Sequence, residues 1–292
     1  MAEGKLTVGN VEILVLTDVE VDFPVPLTQL FPDVPSEAWA PYRERYPGVF
    51  PRPDTWRPHF GGFLLRSQGR TILVDTGLGS TATNPGTVAA FAGGMDGSLI
   101  AELQSAGVRP EDVDTVFITH LHPDHVGWNL SRGGADPRAT FTGARYVFHQ
   151  ADWDAFKTPE VQKAFPFAYW EETLGPLEKL GVLEFLSGEH ALTDEITAIP
   201  SPGHTPGSMS LAIVSGSQRA LIIGDVTTNP AQVTETGWRF SFDMDPALAV
   251  QTRRQLIDRA EAEGAFLVAC HYHGFGQVVR LQGRRYWQAI SA

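Results

Sequence analysis

Three of the chain's nine histidines and one aspartate fall within six residues, His120-Leu121-His122-Pro123-Asp124-His125. Neutral imidazoles and ionised carboxylates are the groups that hold zinc, manganese or ferrous iron, so this density reads as a metal-binding segment. Solvated loop histidines are the bland alternative, and an isolated His-x-His would deserve that reading. Four such groups placed directly after an apolar run point to ligation instead. That run, Val113-Asp114-Thr115-Val116-Phe117-Ile118, is β-branched and aromatic and predicts a buried strand ending at Thr119. The backbone then turns, with φ fixed at Pro123 and freedom at Gly127. His120 and His122 can face one way while Asp124 and His125 face another, and such a fork suits two adjacent ions better than one.

Other candidate groups sit where further apolar runs stop. Arg70-Thr71-Ile72-Leu73-Val74 ends in Asp75-Thr76-Gly77, a pattern that alone is usually only a turn. Arg219-Ala220-Leu221-Ile222-Ile223-Gly224 ends in Asp225. The strand predicted at Glu195 to Ile199 is followed by Pro200-Ser201-Pro202-Gly203-His204-Thr205-Pro206-Gly207, whose prolines stiffen a loop that presents His204. Ala265-Phe266-Leu267-Val268-Ala269-Cys270 leads into His271-Tyr272-His273. His149 lies on the strand predicted at Arg145 to His149 and reads as structural.

The elements that must carry these groups alternate along the chain. Residues 6 to 17 predict a hairpin turning at Gly9-Asn10, and Phe60 to Leu65 with Arg70 to Asp75 predict another around Gln68-Gly69. Ser98 to Gly107 and residues 160 to 180, with a break near Gly175-Pro176, have the pattern of helices. Asp245-Pro246 caps a third, running to Gly264. Between Val21 and Pro58 lie nine of the 21 prolines, interleaved with Phe23, Phe31, Trp39, Tyr42, Tyr46, Phe50 and Trp56. Prolines at this density permit at most a brief helix around Ser36 to Tyr46. The aromatics need a surface, so this insert is expected to wall an apolar pocket, to embrace a second subunit, or simply to pack as an arm on its own core.

Composition narrows the function classes. A net charge of -12 and a pI near 5.1 would repel a phosphate backbone, which excludes nucleic acid as an expected partner. Cys270 is the only cysteine, so no intrachain disulfide forms. The opening Met1-Ala2-Glu3-Gly4-Lys5 leads into no long apolar run, and nothing approaches the ~20 apolar residues of a membrane span. The expectation is a cytoplasmic protein acting on a small molecule, with no membrane partner.

His120 to His125 resembles the His-x-His-x-Asp-His signature of the metallo-β-lactamase fold superfamily, and Pro202-Gly203-His204-Thr205-Pro206-Gly207 resembles the loop presenting that family's third ligand. The resemblance spans about residues 60 to 275. It implies an α/β fold, the αβ/βα sandwich of two mixed sheets flanked by helices, with 1–292 as a single domain carrying an insert at about 21–58. Carried over position by position, it implies that His120, His122 and His204 hold one metal ion, that Asp124, His125 and His271 hold a second, and that Asp225 bridges them. Asp75 would support a metal-binding histidine from behind. His271 is preferred to His273 because the last residue of a strand is the better fixed. The cofactors implied are two divalent ions, zinc first, with manganese, cobalt or iron as alternatives.

Such ions lower the pKa of coordinated water to about 7, which implies hydrolysis of an activated acyl or phosphoryl bond, with Asp124 or Asp225 protonating the leaving oxygen. The pattern is closest to the quorum-quenching lactonase and methyl parathion hydrolase group, so the first expectation is a lactone like an acyl-homoserine lactone. Arylester or organophosphate hydrolysis and thioester hydrolysis are the alternatives, and a di-iron oxidoreductase is the alternative of another class. One departure stands out: similar lactonases carry a tyrosine shortly after the bridging aspartate, where this chain has Val226, Thr227 and Thr228. A homodimer formed through the insert is a further expectation.

Overall fold

In strand β2 (Val11–Glu20), Val11, Ile13 and Val15 face one apolar layer while Leu14 and Leu16 face another. This two-residue alternation places a sheet between two cores. The computed structural model describes residues 4–131, 137–165 and 169–290, and the pattern recurs through it.

The first sheet has the order β1 (Lys5–Val8), β2, β3 (His59–Ser67), β4 (Arg70–Val74), β5 (Thr115–Phe117), then β8 (Arg145–His149) and β9 (Leu183–Leu186). A two-stranded ribbon, β6 (Leu130–Ser131) with β7 (Arg138–Ala139), lies between β5 and β8 in the chain. The second sheet runs β10 (His190–Thr193), β11 (Ile196–Pro200), β12 (Met209–Ser215), β13 (Gln218–Ile222), β14 (Phe266–Val268), β15 (Gly276–Leu281), β16 (Arg284–Ala289). The layer between the sheets holds Val11, Ile13, Phe63, Val74 and Phe117 from one and Ile196, Leu211, Ile213, Ile222 and Val268 from the other. Helices cover both outer faces, giving the expected sandwich.

The two halves repeat one motif. In each, an antiparallel hairpin (β3/β4, β12/β13) is followed by a crossover to a parallel neighbour (β5, β14). The second crossover uses the helix Pro246–Glu263, capped by Asp245 Oδ1 accepting from the Leu248 N–H at 3.0 Å and ended by Gly264 at φ 60°. It buries Ala249, Arg253, Leu256, Ile257 and Ala260, the three- and four-residue spacing of one helical face.

Two readings change. Besides the expected turn of helix at Ala40–Arg45, the insert contains a one-turn helix at Leu27–Leu30. Its aromatics Phe31, Trp39, Tyr42, Phe50 and Trp56 are all buried in the outer core beside Trp238 and Phe240. Elements not anticipated from the sequence include β12, the helix Pro85–Ala92 and the β15/β16 hairpin. The helical stretch expected at 160 to 180 is divided into Pro159–Ala164, Trp170–Leu174 and Gly175–Leu180, with residues 166–168 outside the described residues. No helix among the described residues is long and apolar enough to cross a membrane.

Candidate metal centre

The chain leaves the C-terminal ends of β4, β5, β11, β13 and β14 at one edge of the sandwich, and each exit delivers a candidate group: Asp75, the His120 to His125 loop, His204, Asp225 and His271. The site therefore straddles both sheets. Close backbone approach makes this convergence feasible. A Cβ at Gly127 would lie 2.0 Å from the Leu78 carbonyl carbon, and Gly203, at φ 133°, leaves no room for one against Ala249.

All seven predicted ligands come together. His120 Nε2 lies 3.0 Å from His122 Nδ1, which lies 2.9 Å from His204 Nε2. On the other side, His125 Nε2 is 3.6 Å and His271 Nε2 3.5 Å from Asp124 Oδ2. Asp225 stands between the groups, 3.5 Å from His204 Nε2, 2.9 Å from His271 Nε2 and 3.7 Å from His125 Nε2. His273 points away and donates from Nε2 to the Arg57 carbonyl at 2.9 Å, leaving His271 as the inward histidine.

The outer nitrogens determine which inner ones carry lone pairs. The Thr119 hydroxyl gives its proton to Asp75 Oδ2 (2.8 Å) and so accepts from His120 Nδ1 (3.1 Å). His204 Nδ1 donates to Asp243 Oδ1 at 3.0 Å, and His271 Nδ1 to the His59 carbonyl at 2.9 Å. His120 Nε2 and His204 Nε2 are therefore bare and converge with His122 Nδ1. Three imidazole nitrogens meeting at these spacings can turn their lone pairs on one shared cation. Ligands on a tetrahedron with metal–nitrogen bonds of about 2.0–2.1 Å stand about 3.3 Å apart, close to these spacings. His125 Nε2 and Asp225 Oδ1 are buried without a hydrogen-bond partner, as donors awaiting an ion would be. The residues present fit two divalent ions, and both donor sets are of the nitrogen and oxygen type that zinc, manganese, cobalt or iron accepts.

Electrostatics divide the site. Burial, and then the neighbouring imidazoles, hold His120 and His122 well below the ordinary histidine range. Burial also pulls on His125 and His271, but Asp124 and Asp225 beside both, with Asp75 beside His125, outweigh it and raise both. Asp225 is correspondingly held well below the carboxylate range by His271 and His125, against the cost of burial.

Two supporting carboxylates escaped the sequence reading. Asp152, fully buried, accepts from the Leu121 N–H (3.1 Å), Thr205 Oγ1 (2.9 Å) and the Gly207 N–H (2.5 Å), stitching the His120 loop to the His204 loop. Asp243 is the other. Neither lies at the end of an apolar strand, the signal that exposed Asp75 and Asp225.

Above the centre opens a cleft of about 410 Å³, partly continuous with solvent. Phe23, Trp56, Phe60, Phe91, Phe165, Phe240 and Phe242 line it, with Asp124, Asp225 and the histidines at its floor. Phe23 and Trp56 come from the insert, which therefore walls the pocket. No lysine or arginine is among the described lining residues.

Comparison with known proteins agrees with this architecture. Residues 62–271 match the model of the metallo-beta-lactamase superfamily. An N-acyl homoserine lactonase of Bacillus cereus is 26% identical over 160 residues, covering 52% of this chain and 56% of that protein. The chain thus spans little more than half the length of that relative. An N-acyl homoserine lactonase of Bacillus thuringiensis is 22% identical over 218 residues, 72% of this chain and 79% of the relative. Among solved structures, the hydrolase AbOPH of the beta lactamase superfamily superposes with a TM-score of 0.81 at 24% identity, covering 99% of this chain and 98% of that one. AidC, a dizinc quorum-quenching lactonase, gives 0.80 at 21% identity, covering 100% and 99%.

Proposed function

The chain belongs to the metallo-beta-lactamase superfamily, and on that premise we propose that it is a dinuclear metal-dependent hydrolase acting on an ester-type bond, first of all that of a lactone. The observation that carries the reading is the convergence of six buried or half-buried ligand side chains on either side of Asp225. His120, His122 and His204 would hold one ion and Asp124, His125 and His271 the other, with Asp225 shared. Bound there, zinc or a similar ion would supply Lewis acidity, ionising water near neutral pH and polarising the substrate carbonyl.

The chain's own residues account for the rest. Water adds to the acyl carbon, the ring C–O bond breaks, and the proton released is returned to the departing oxygen. Asp124 is the carboxylate best placed to carry it, because its side chain is 14% exposed at the cleft floor while that of Asp225 is 4% exposed among histidines. The aromatic walls would seat an apolar acyl chain and keep bulk water from the bond under attack. The relatives named as N-acyl homoserine lactonases support such a substrate. Seven aromatic rings around the cleft favour a second reading, an arylester or organophosphate triester.

The test is turnover by zinc- or manganese-loaded protein on a panel of acyl-homoserine lactones, simple lactones, aryl esters, thioesters and phosphotriesters. Preferential lactone opening is expected, together with loss of one metal equivalent and most activity in His122→Ala. Inertness toward every ester-type bond in the metal-loaded protein would remove the hydrolase reading.

A further inference from the structure

We propose that Asp243 is a positioning residue whose two carboxylate oxygens tie the metal-facing histidine His204 to the aromatic wall of the cleft, and that Arg253 anchors it. The inference rests on the metal-dependent reading of the site. Asp243 Oδ1 receives His204 Nδ1 at 3.0 Å, and Oδ2 receives the backbone N–H of Phe240 at 3.2 Å. Phe240 lines the cleft, with its ring stacked near that of His204 (centroids 6.2 Å apart, planes at 27°). One side chain therefore sets both a candidate ligand and the surface on which substrate would lie.

The clasp is continued by the backbone. Met244 N donates to His204 O at 3.0 Å and Asp245 N to Gly203 O at 2.9 Å. Arg253, wholly buried in the helix Pro246–Glu263, reaches Asp243 Oδ2 at 3.4 Å. It also donates to the carbonyls of Val226 (2.8 Å), Thr236 (3.1 Å) and Trp238 (2.7 Å). A guanidinium is hard to bury unless its donors are satisfied, and these four acceptors span the loop that begins just after Asp225. The loop bearing Phe240 and Phe242 is thus fastened to the longest helix at the same point as His204. An acceptor opposite Nδ1 keeps the proton there and the lone pair on Nε2, the orientation that ligation requires.

The experiment compares wild type with Asp243→Asn and Asp243→Ala. Zinc affinity is read by competition with a chromophoric chelator and folding by the melting temperature of metal-free protein. Each variant is expected to hold one of two zinc equivalents about 10- to 100-fold more weakly while the other equivalent keeps its affinity. Asp243→Glu should recover part of the loss. Both variants retaining two equivalents with wild-type chelator resistance would overturn the inference. Should the variants not fold, nitrogen-15 histidine spectra of zinc-loaded wild type decide: a proton on His204 Nδ1 is expected, and one on Nε2 overturns the proposal. Wild type that binds no zinc would sink the metal-dependent reading and this inference together. Wild type that binds two ions but opens no ester-type bond would sink only the function.

Discussion

His125 Nδ1 lies 2.9 Å from Asp75 Oδ2, and the other Asp75 oxygen accepts the Thr119 N–H at 2.7 Å. Asp75 takes this position at φ 60°, a left-handed conformation that costs a non-glycine residue about 1 kcal/mol or more. The strain is offset by what the carboxylate reaches: a candidate ligand, the start of the His120 loop and the Cys270 thiol at 3.2 Å, all buried. Replacing Asp75 by Ala leaves those donors without an acceptor. The expected outcome is a loss of about 1–3 kcal/mol of stability in urea unfolding and about 10- to 100-fold weaker binding of the ion that His125 is proposed to hold. A chelator titration showing unchanged affinity for both ions would remove Asp75 from the metal centre's support.

Protons and metal ions should compete for the inner nitrogens. His125 and His271 are raised above the ordinary histidine range by Asp124 and Asp225, so without metal they keep a proton to higher pH than a free imidazole. A group whose folded pKa is raised contributes its stabilisation below the unfolded value, near 6.5, and loses it as pH rises through the folded value. Metal must expel those protons. Zinc affinity should therefore fall as pH is lowered, and binding near pH 7 should release protons, read by calorimetry in buffers of different ionisation enthalpy. Affinity independent of pH between about 6 and 8 would contradict the protonated pair.

Cys270 should be chemically silent in the folded protein. It is buried at the end of the strand that delivers His271, and burial, with Asp75 next to it, pushes the thiol well above its ordinary pKa. The thiolate is the reactive form, so a disulfide reagent near neutral pH should leave the native protein unlabelled and label it stoichiometrically in denaturant. Rapid native labelling would mean that the base of the centre opens to solvent.

The sequence disclosed the centre where a single local signal marked it. Asp75, His120, Asp225 and His271 each follow an apolar run, because a strand buried on both faces must be apolar and its end must turn at the rim. Asp243 gave no such signal. It stands 39 residues from His204 and meets it only through the packing of the Pro246–Glu263 helix against the second sheet. The same limit applies to Asp152, which meets Thr205 across 53 residues. The β15/β16 hairpin was carried by an unread turn, Gln282-Gly283, with φ values of 51° and 80°. The insert was expected to wall an apolar pocket, but spacing alone did not say which of its aromatics would do so; packing selects Phe23 and Trp56 for the cleft and sends Phe31, Trp39, Tyr42 and Phe50 to the outer core.

The cleft wall offers a last test, because its rings differ in how much else they hold up. Trp56 is 2% exposed and packs edge-on against His271 (5.5 Å), Phe23 (5.5 Å) and Phe240 (6.0 Å). Trp56→Ala should therefore cost about 3–5 kcal/mol of stability as well as activity, since it empties a core position. Phe242 lines the same cleft but is 39% exposed and touches chiefly Phe240, at 5.4 Å. Phe242→Ala should leave the melting temperature within a few degrees of wild type and metal content unchanged. Its effect should fall on substrate binding: KM for a long-chain or aromatic ester rises about 5- to 30-fold, as removing about 1–2 kcal/mol of apolar contact requires, while kcat holds. Short-chain substrates that never reach the rim should be indifferent. If KM for short and long substrates shifts alike, or only kcat changes, the aromatic rim does not seat the apolar part of the substrate.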